Sequence, residues 1–250
     1  MSNTLLKVRQ LQKSFGAVEA CCNINLEINK GEIHALIGPN GAGKTTLIQQ
    51  LAGQMLPDSG SIEFDGQDIT RLPAHKRALL GLARSFQITS IFGQMSAEEN
   101  IALAVQAHMG HSFRFWRPAN KNKKLQPTIE TALEKCGLLE RRHIVADNLS
   151  HGEKRQLEAG MALAVTPKLL MLDEPMAGMG PGSAVKMTEL IQSIKGNTSI
   201  LLVEHDMHAV FNLADRITVL VYGKPIATGT PEEISHNQDV RSAYLGEGDN

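Results

Sequence analysis

Nine consecutive residues, Gly38-Pro39-Asn40-Gly41-Ala42-Gly43-Lys44-Thr45-Thr46, set glycines, a lysine and two hydroxyls at the spacing G-x-x-x-x-G-K-T. Glycines free the backbone to point several N–H groups at one spot. The apolar run Ile33 to Ile37 before the loop and the helical pattern Lys44 to Ala52 after it put that spot at a helix N-terminus. A helix start with converging N–H groups attracts anions, phosphates above all. Lys44 is placed to reach the β- and γ-phosphates of a nucleotide such as ATP, and the Thr45 hydroxyl to ligate Mg²⁺, with Thr46 as a second hydroxyl contact.

A second group of chemical residues follows the apolar strand Leu169 to Leu172, which ends in the adjacent carboxylates Asp173 and Glu174. Ligands of α/β sheets collect at the C-terminal ends of strands. Asp173 suits a Mg²⁺-associated carboxylate, and Glu174 suits the group that orients and polarises an attacking water. A solvated strand end with a capping acid is the plain alternative, and the upstream phosphate-cradling loop argues against it.

These residues need a sheet to hold them. Ile24, Leu26 and Ile28 alternate with Asn23, Asn25, Glu27 and Asn29, so antiparallel strands begin the fold. Pro57 to Gly60 reads as a turn, Ile62 and Phe64 as a short strand, and Asp65-Gly66 as a tight hairpin. From Gln87 to Leu149 the character becomes helical, because Ser96 and Glu99 form a capping box ahead of Asn100 to His108. His111 to Pro127, rich in Lys, Arg and Asn with two prolines, reads as a surface loop. Beyond Ser150 the pattern is helix, strand, helix, strand, with Met187, Leu190, Ile191 and Ile194 as an apolar helical stripe before the strand Ser199 to Val203.

With 25 basic and 26 acidic residues the formal charge is −1, which gives no footprint for a phosphate backbone and excludes nucleic acid as the expected partner. Cys21, Cys22 and Cys136 are odd in number and two are adjacent, a pattern unlike a disulfide framework and natural in a reducing compartment. Met1 to Gln10 lacks the apolar core of a signal peptide, and no stretch approaches the ~18 apolar residues of a membrane span, so a cytoplasmic location is expected. A chain of 250 residues buries about 70 to 75% of its unfolded surface and needs no disulfide or metal to hold a core.

Leu149-Ser150-His151-Gly152-Glu153 resembles the signature motif Leu-Ser-Gly-Gly-Gln of ABC ATPases within the P-loop NTPases, matching at Leu149, Ser150 and Gly152 and departing at His151 and Glu153. Ser150 and Glu153 also satisfy an ordinary capping box, and both readings hold together, since a capped helix start presents N–H groups and a hydroxyl. The resemblance implies an α/β fold, a P-loop NTPase (RecA-like) core with an N-terminal antiparallel β subdomain and an inserted helical subdomain. A single domain, 1–250, is expected, with core and β subdomain over 1–87 and 165–250 and the helical subdomain over about 88–164. It implies further that Gln87, after the strand Leu82 to Phe86, is the residue near Mg²⁺ and the membrane contact. His205, after Ile200 to Val203, becomes the switch histidine at the γ-phosphate, and Phe15 the aromatic that stacks on adenine, with a core aromatic as its alternative. Ser150 and Gly152 would meet ATP held by a partner cassette. Ala177-Gly-Met-Gly180 stands where the family usually has an aspartate, which Gly180 cannot supply.

The D-loop, the His151 signature and the Tyr244-Leu-Gly-Glu ending look most like branched-chain amino acid or urea importer ATPases. What this implies is an ATP-hydrolysing, Mg²⁺-dependent subunit at the cytoplasmic face of the inner (plasma) membrane. Its partners would be a second ABC ATPase subunit, as homo- or heterodimer, two transmembrane permease subunits and, through the complex, a periplasmic or extracellular solute-binding protein. A soluble non-transport ABC ATPase and a nucleotide-binding regulator are the competing functions; intact Glu174 and His205 argue against the regulator.

Overall fold

The computed structural model describes residues 3–84, 91–108 and 124–245. Two long strands open it, β1 (Thr4–Phe15) and β2 (Val18–Asn29), paired as an antiparallel hairpin. With β4 (Ser59–Phe64) and β5 (Gln67–Asp68) they form a four-stranded antiparallel sheet in the order β2-β1-β4-β5. The alternation in β2 is the cause of its placement: Ile24, Leu26 and Ile28 are buried while Asn23, Asn25 and Glu27 are exposed. The expected turn at Pro57 to Gly60 is shorter than its sequence suggests, since β4 already starts at Ser59. Gly60 sits in that strand at φ +90, where an added Cβ would press on the carbonyls of Arg9 and Gln10, so it serves an irregular pairing rather than a turn. Asp65-Gly66 does turn the chain between β4 and β5, both residues at positive φ.

The second sheet has the order β10-β9-β3-β8-β7-β6. Strands β3 (Ile33–Ile37), β6 (Leu82–Arg84), β7 (Leu169–Asp173), β8 (Ser199–Val203) and β9 (Arg216–Val221) run parallel, and β10 (Lys224–Gly229) closes one edge antiparallel. Every residue of β3, β7 and β8 is buried, because both faces are covered. Leu170, Leu172, Ile200 and Leu202 join one core with the helices. Leu169, Met171, Leu201 and Val203 face the other way, into a core shared with the antiparallel sheet and helix α1 (Lys44–Leu51). The strand expected over Leu82 to Phe86 is assigned only to Arg84; 85–86 lie outside the described residues.

Helix α2 (Ala74–Leu79) carries Arg77, which is fully buried. Its guanidinium donates to the Gln50 and Leu51 carbonyls at 2.7 and 2.8 Å, and to those of Thr70 and Leu72. Arg77 thereby supports the C-terminus of α1, reaching the Leu51 carbonyl and sharing the Gln50 carbonyl with the Gly53 N–H at 3.1 Å. Burial lowers its pKa to about 10, so it stays charged at neutral pH.

Helices α3 (Ala97–His108), α4 (Gln126–Lys135) and α5 (His151–Ala164) pack on one another through Ile101, Val105, Ile129, Leu133 and Leu157. The Ser96–Glu99 capping box starts α3, each side chain meeting the other's backbone N–H at 2.9 and 3.2 Å. The surface loop expected over His111 to Pro127 lies mostly outside the described residues, but its end is corrected: Gln126 and Pro127 belong to α4. Proline fits a first helical turn because the N–H it lacks would have had no partner. Helix α6 (Pro181–Ile194) buries the stripe Met187, Leu190, Ile191 and Ile194 against the sheet, and α7 (Met207–Leu213), α8 (Pro231–His236) and α9 (Gln238–Leu245) complete the fold. Among the described residues, no helix is long and apolar enough to cross a membrane.

Candidate active site

Strand register brings the chemical residues together. Leu36 of β3 lies opposite Val203 of β8, and Val203 opposite Asp173 of β7. The residues that leave these three strands, Gly38, Glu174 and Glu204 with His205, therefore emerge along one sheet edge. This is the C-terminal edge, where parallel sheets bind ligands.

The loop after β3 is shaped by its glycines. Gly38 has φ +152 and Gly43 φ +99; a Cβ on either would collide with the carbonyl of Leu220 or of Ala20. Gly43 ends the loop in a left-handed conformation as the N-cap of α1, so the helix starts with its N–H groups unblocked by a capping side chain. Lys44 folds back over the loop and donates to the Gly38 carbonyl at 2.5 Å and the Pro39 carbonyl at 3.0 Å. An ammonium held there by neutral carbonyls can exchange them for phosphate oxygens, which are stronger acceptors. Asn40, Gly41 and Thr45 are exposed, Pro39 and Thr46 half-buried, and Ala42 buried.

Asp173 is only 2% exposed, and its Oδ2 accepts from Arg84 Nη2 at 2.9 Å. Arg84 also donates to Gln54 Oε1. Glu174 adopts φ +50 directly after the strand, its N–H donating to the Val203 carbonyl at 2.9 Å, and its side chain reaches partly into solvent. His205 Nδ1 lies 4.0 Å from Glu174 Oε1 and 3.9 Å from Glu204 Oε2. Glu204 is 1% exposed and accepts backbone N–H groups from Met176 at 3.0 Å and His205 at 3.3 Å. Burial pushes its carboxyl above the ordinary value, the Glu174 carboxylate adds to that, and the two amides and the imidazole oppose it.

Phe15 ends β1 opposite Val18 and is 49% exposed, so the core alternative for this aromatic is overturned. Its hairpin abuts the phosphate loop where Gly43 meets Ala20. Ser150 and Gly152 stand outside the group on the sheet edge, at the start of α5. Ser150 caps that helix with Glu153 (2.8 and 3.3 Å), and Gly152 packs so close to Ser183 of α6 that no Cβ would fit. His151 Nε2 lies 3.4 Å from the Ala177 carbonyl, which joins the start of α5 to the segment after Glu174. Gln87 lies outside the described residues.

Sequence reasoning passed over Arg84 and Glu204. The available signals were a charged residue set within an otherwise apolar stretch at Leu82-Ala83-Arg84 and another directly after the apolar run Ile200 to Val203. Thr45 and Asp173 offer hydroxyl and carboxylate oxygens, donors that suit a hard cation such as Mg²⁺. Among the described residues no cluster of three or more His, Cys, Asp or Glu could hold a metal. A cation here would need oxygens from a nucleotide as well.

Comparison with known proteins gives the following likenesses. A family model described as ABC transporter matches residues 21–177, and one described as branched-chain amino acid ATP-binding cassette transporter matches residues 224–250. The high-affinity branched-chain amino acid transport ATP-binding protein LivG of Escherichia coli (strain K12) is 41% identical over 99% of this chain and 100% of its own length. The corresponding protein BraF of Pseudomonas aeruginosa is 39% identical over the same shares. The ADP conformation of MJ1267, an ATP-binding cassette of an ABC transporter, superposes with a TM-score of 0.87 at 29% identity, over 98% of this chain and 100% of that one.

Proposed function

The chain belongs to the ABC transporter family as an ATP-binding, ATP-hydrolysing cassette, and from that we propose that it powers import of branched-chain amino acids through partner permease subunits. The observation that carries the chemistry is the convergence of the phosphate loop, Asp173, Glu174 and His205 on one sheet edge. The substrate rests on the match of residues 224–250 and on the two relatives named for branched-chain amino acid transport.

In this reading the loop amides of residues 38–46 and the Lys44 ammonium hold the β- and γ-phosphates, and Phe15 stacks on the adenine. Thr45, Asp173 and Gln87 are the residues that would hold Mg²⁺. The bound ion supplies charge neutralisation on the phosphate oxygens. Glu174 accepts a proton from the water that attacks the γ-phosphorus, and His205 donates to a γ-phosphate oxygen, so ADP and inorganic phosphate leave. Ser150 and Gly152, at the start of α5, serve ATP on a second cassette in a homo- or heterodimer. The chain forms one domain, 1–250, its helical part spanning about 88–164, and works as a peripheral subunit on the cytoplasmic face of the inner (plasma) membrane. Two permease subunits and an external solute-binding protein complete the transporter. Ile88, Ile91, Phe92 and Met95, ahead of α3, offer an apolar surface to a cytoplasmic helix of the permease; Phe92 and Met95 are exposed, Ile91 is half-buried against the core, and Ile88 lies outside the described residues.

Co-purification tests this. The full chain should co-purify with hydrophobic membrane subunits, and ATPase in the reconstituted complex should rise with leucine, isoleucine or valine and their binding protein. Stimulation by a different solute would overturn the substrate, and failure to associate with any membrane subunit would overturn transport.

A further inference from the structure

We propose that Glu204 is a positioning residue for hydrolysis, a carboxylate that clamps the loop following Glu174 to the loop carrying His205. This deepens the reading of Glu174 and His205 given above and rests on it.

A carboxylate at this place is costly. Glu204 is 1% exposed, and burial favours its protonated form. Its folded pKa is raised, so whatever stability it contributes is present in acid and is lost as pH rises through that pKa. An apolar residue continuing Ile200–Val203 would avoid this. The compensation is geometric. Oε1 accepts from the Met176 amide and Oε2 from the His205 amide, two backbone groups on separate loops that leave neighbouring strands β7 and β8. Met176 is two residues past Glu174, and the Ala177 amide closes a turn onto the Glu174 carbonyl at 3.1 Å. Holding Met176 therefore holds Glu174 in its left-handed conformation at φ +50. The charged groups facing Glu204 are Glu174 and His205 themselves.

The same segment is held from its other side. His151, the first residue of α5, reaches the Ala177 carbonyl. Residues 174–177 are thus bracketed between Glu204 and the helix that would meet the partner's ATP. Gly180 offers no side chain for that link, and the His151 and Glu204 contacts supply one through the backbone instead.

The test is Glu204→Gln in the full chain assembled with its membrane subunits. Glutamine has one acceptor oxygen, and its NH₂ opposes the second amide, so one of the two contacts is lost. The expected result is a fall in kcat of about 10-fold or more with ATP affinity within about twofold of wild type, and no further loss when Glu204→Gln is added to Glu174→Gln, the residue through which the clamp acts. Wild-type kcat overturns the clamp. So do multiplicative losses in the double variant, or a parallel loss of ATP affinity and thermal stability, which would mark a merely structural role. His205→Ala alone reports on the underlying reading, and unchanged turnover in that variant sinks the His205 assignment first. If Glu204→Gln does not fold, amide hydrogen exchange on the wild-type chain decides: a protected Met176 amide supports the clamp and a freely exchanging one overturns it.

Discussion

Arg84 Nη2 lies 2.9 Å from Asp173 Oδ2, with the two side chains 9% and 2% exposed, so the carboxylate proposed to meet Mg²⁺ already has a cationic partner. Removing Arg84 leaves a buried, unpaired charge. Arg84→Ala should lose on the order of 3 kcal/mol in denaturant titration without nucleotide. With Mg²⁺ and ATP present the loss should shrink, because the cation substitutes for the guanidinium. An equal loss in both conditions would show that Arg84 serves the fold alone.

Lys44 exchanges two carbonyl contacts for phosphate contacts in the proposed reading. A hydrogen bond to a charged group contributes about 1.5 to 3 kcal/mol, so Lys44→Ala should weaken ATP binding by ~10- to 100-fold. Fluorescence titration with a labelled nucleotide measures this directly. Wild-type affinity and turnover would remove Lys44 from the site.

Glu174→Gln keeps the shape of the side chain but not its basicity. Turnover should fall by roughly 10²- to 10⁴-fold while ATP and Mg²⁺ still bind. Gel filtration with ATP should then reveal an accumulating dimer. Unchanged steady-state turnover in the assembled transporter contradicts the role of Glu174 in polarising water.

Ser150 and Glu153 share a capping box, which allows the cap to be separated from phosphate contact. Ser150→Ala and Glu153→Ala should each cost about 1 kcal/mol of stability. Only Ser150→Ala should also reduce ATPase of the dimer by ~10-fold, since the hydroxyl remains in the other variant. Equal ATPase in the two would confine Ser150 to capping.

Single cysteines at Ile91 and Met95 should crosslink to the cytoplasmic loops of the permease, with a yield that changes on adding ATP. Asn100, fully buried, supports this surface: its amide donates to the Phe92 carbonyl at 3.1 Å and its oxygen accepts from the Phe92 N–H at 2.7 Å. Crosslinks from Lys121 or Lys123 instead would move the coupling surface into the basic loop.

Much of this protein was legible one residue after another. The phosphate loop, the Ser96–Glu99 and Ser150–Glu153 capping boxes, the Asp65-Gly66 turn and the stripe on α6 depend on partners within a few positions, so spacing alone specifies them. The buried strands β3, β7 and β8 announced themselves as apolar runs for the same reason. The reading failed where local signals compete, as at Gln126 and Pro127, whose loop-like composition conceals a helix start that tolerates proline.

What tertiary structure alone decided is which distant side chains meet. Arg84 and Asp173 stand 89 positions apart, Arg77 reaches carbonyls 26 and 27 positions away, and Glu204 finds the Met176 amide 28 positions back. No periodicity encodes such pairs. The Arg84–Asp173 and Glu204–Met176 pairs arise because β3, β8, β7 and β6 lie side by side in an order that differs from chain order, so residues of different strands are brought together. Sequence determined that a nucleotide loop and a pair of carboxylates exist. The order of the strands determined that they face each other, and burial determined that Asp173 and Glu204 need partners there, since a carboxylate withdrawn from water must be compensated by cations or N–H groups.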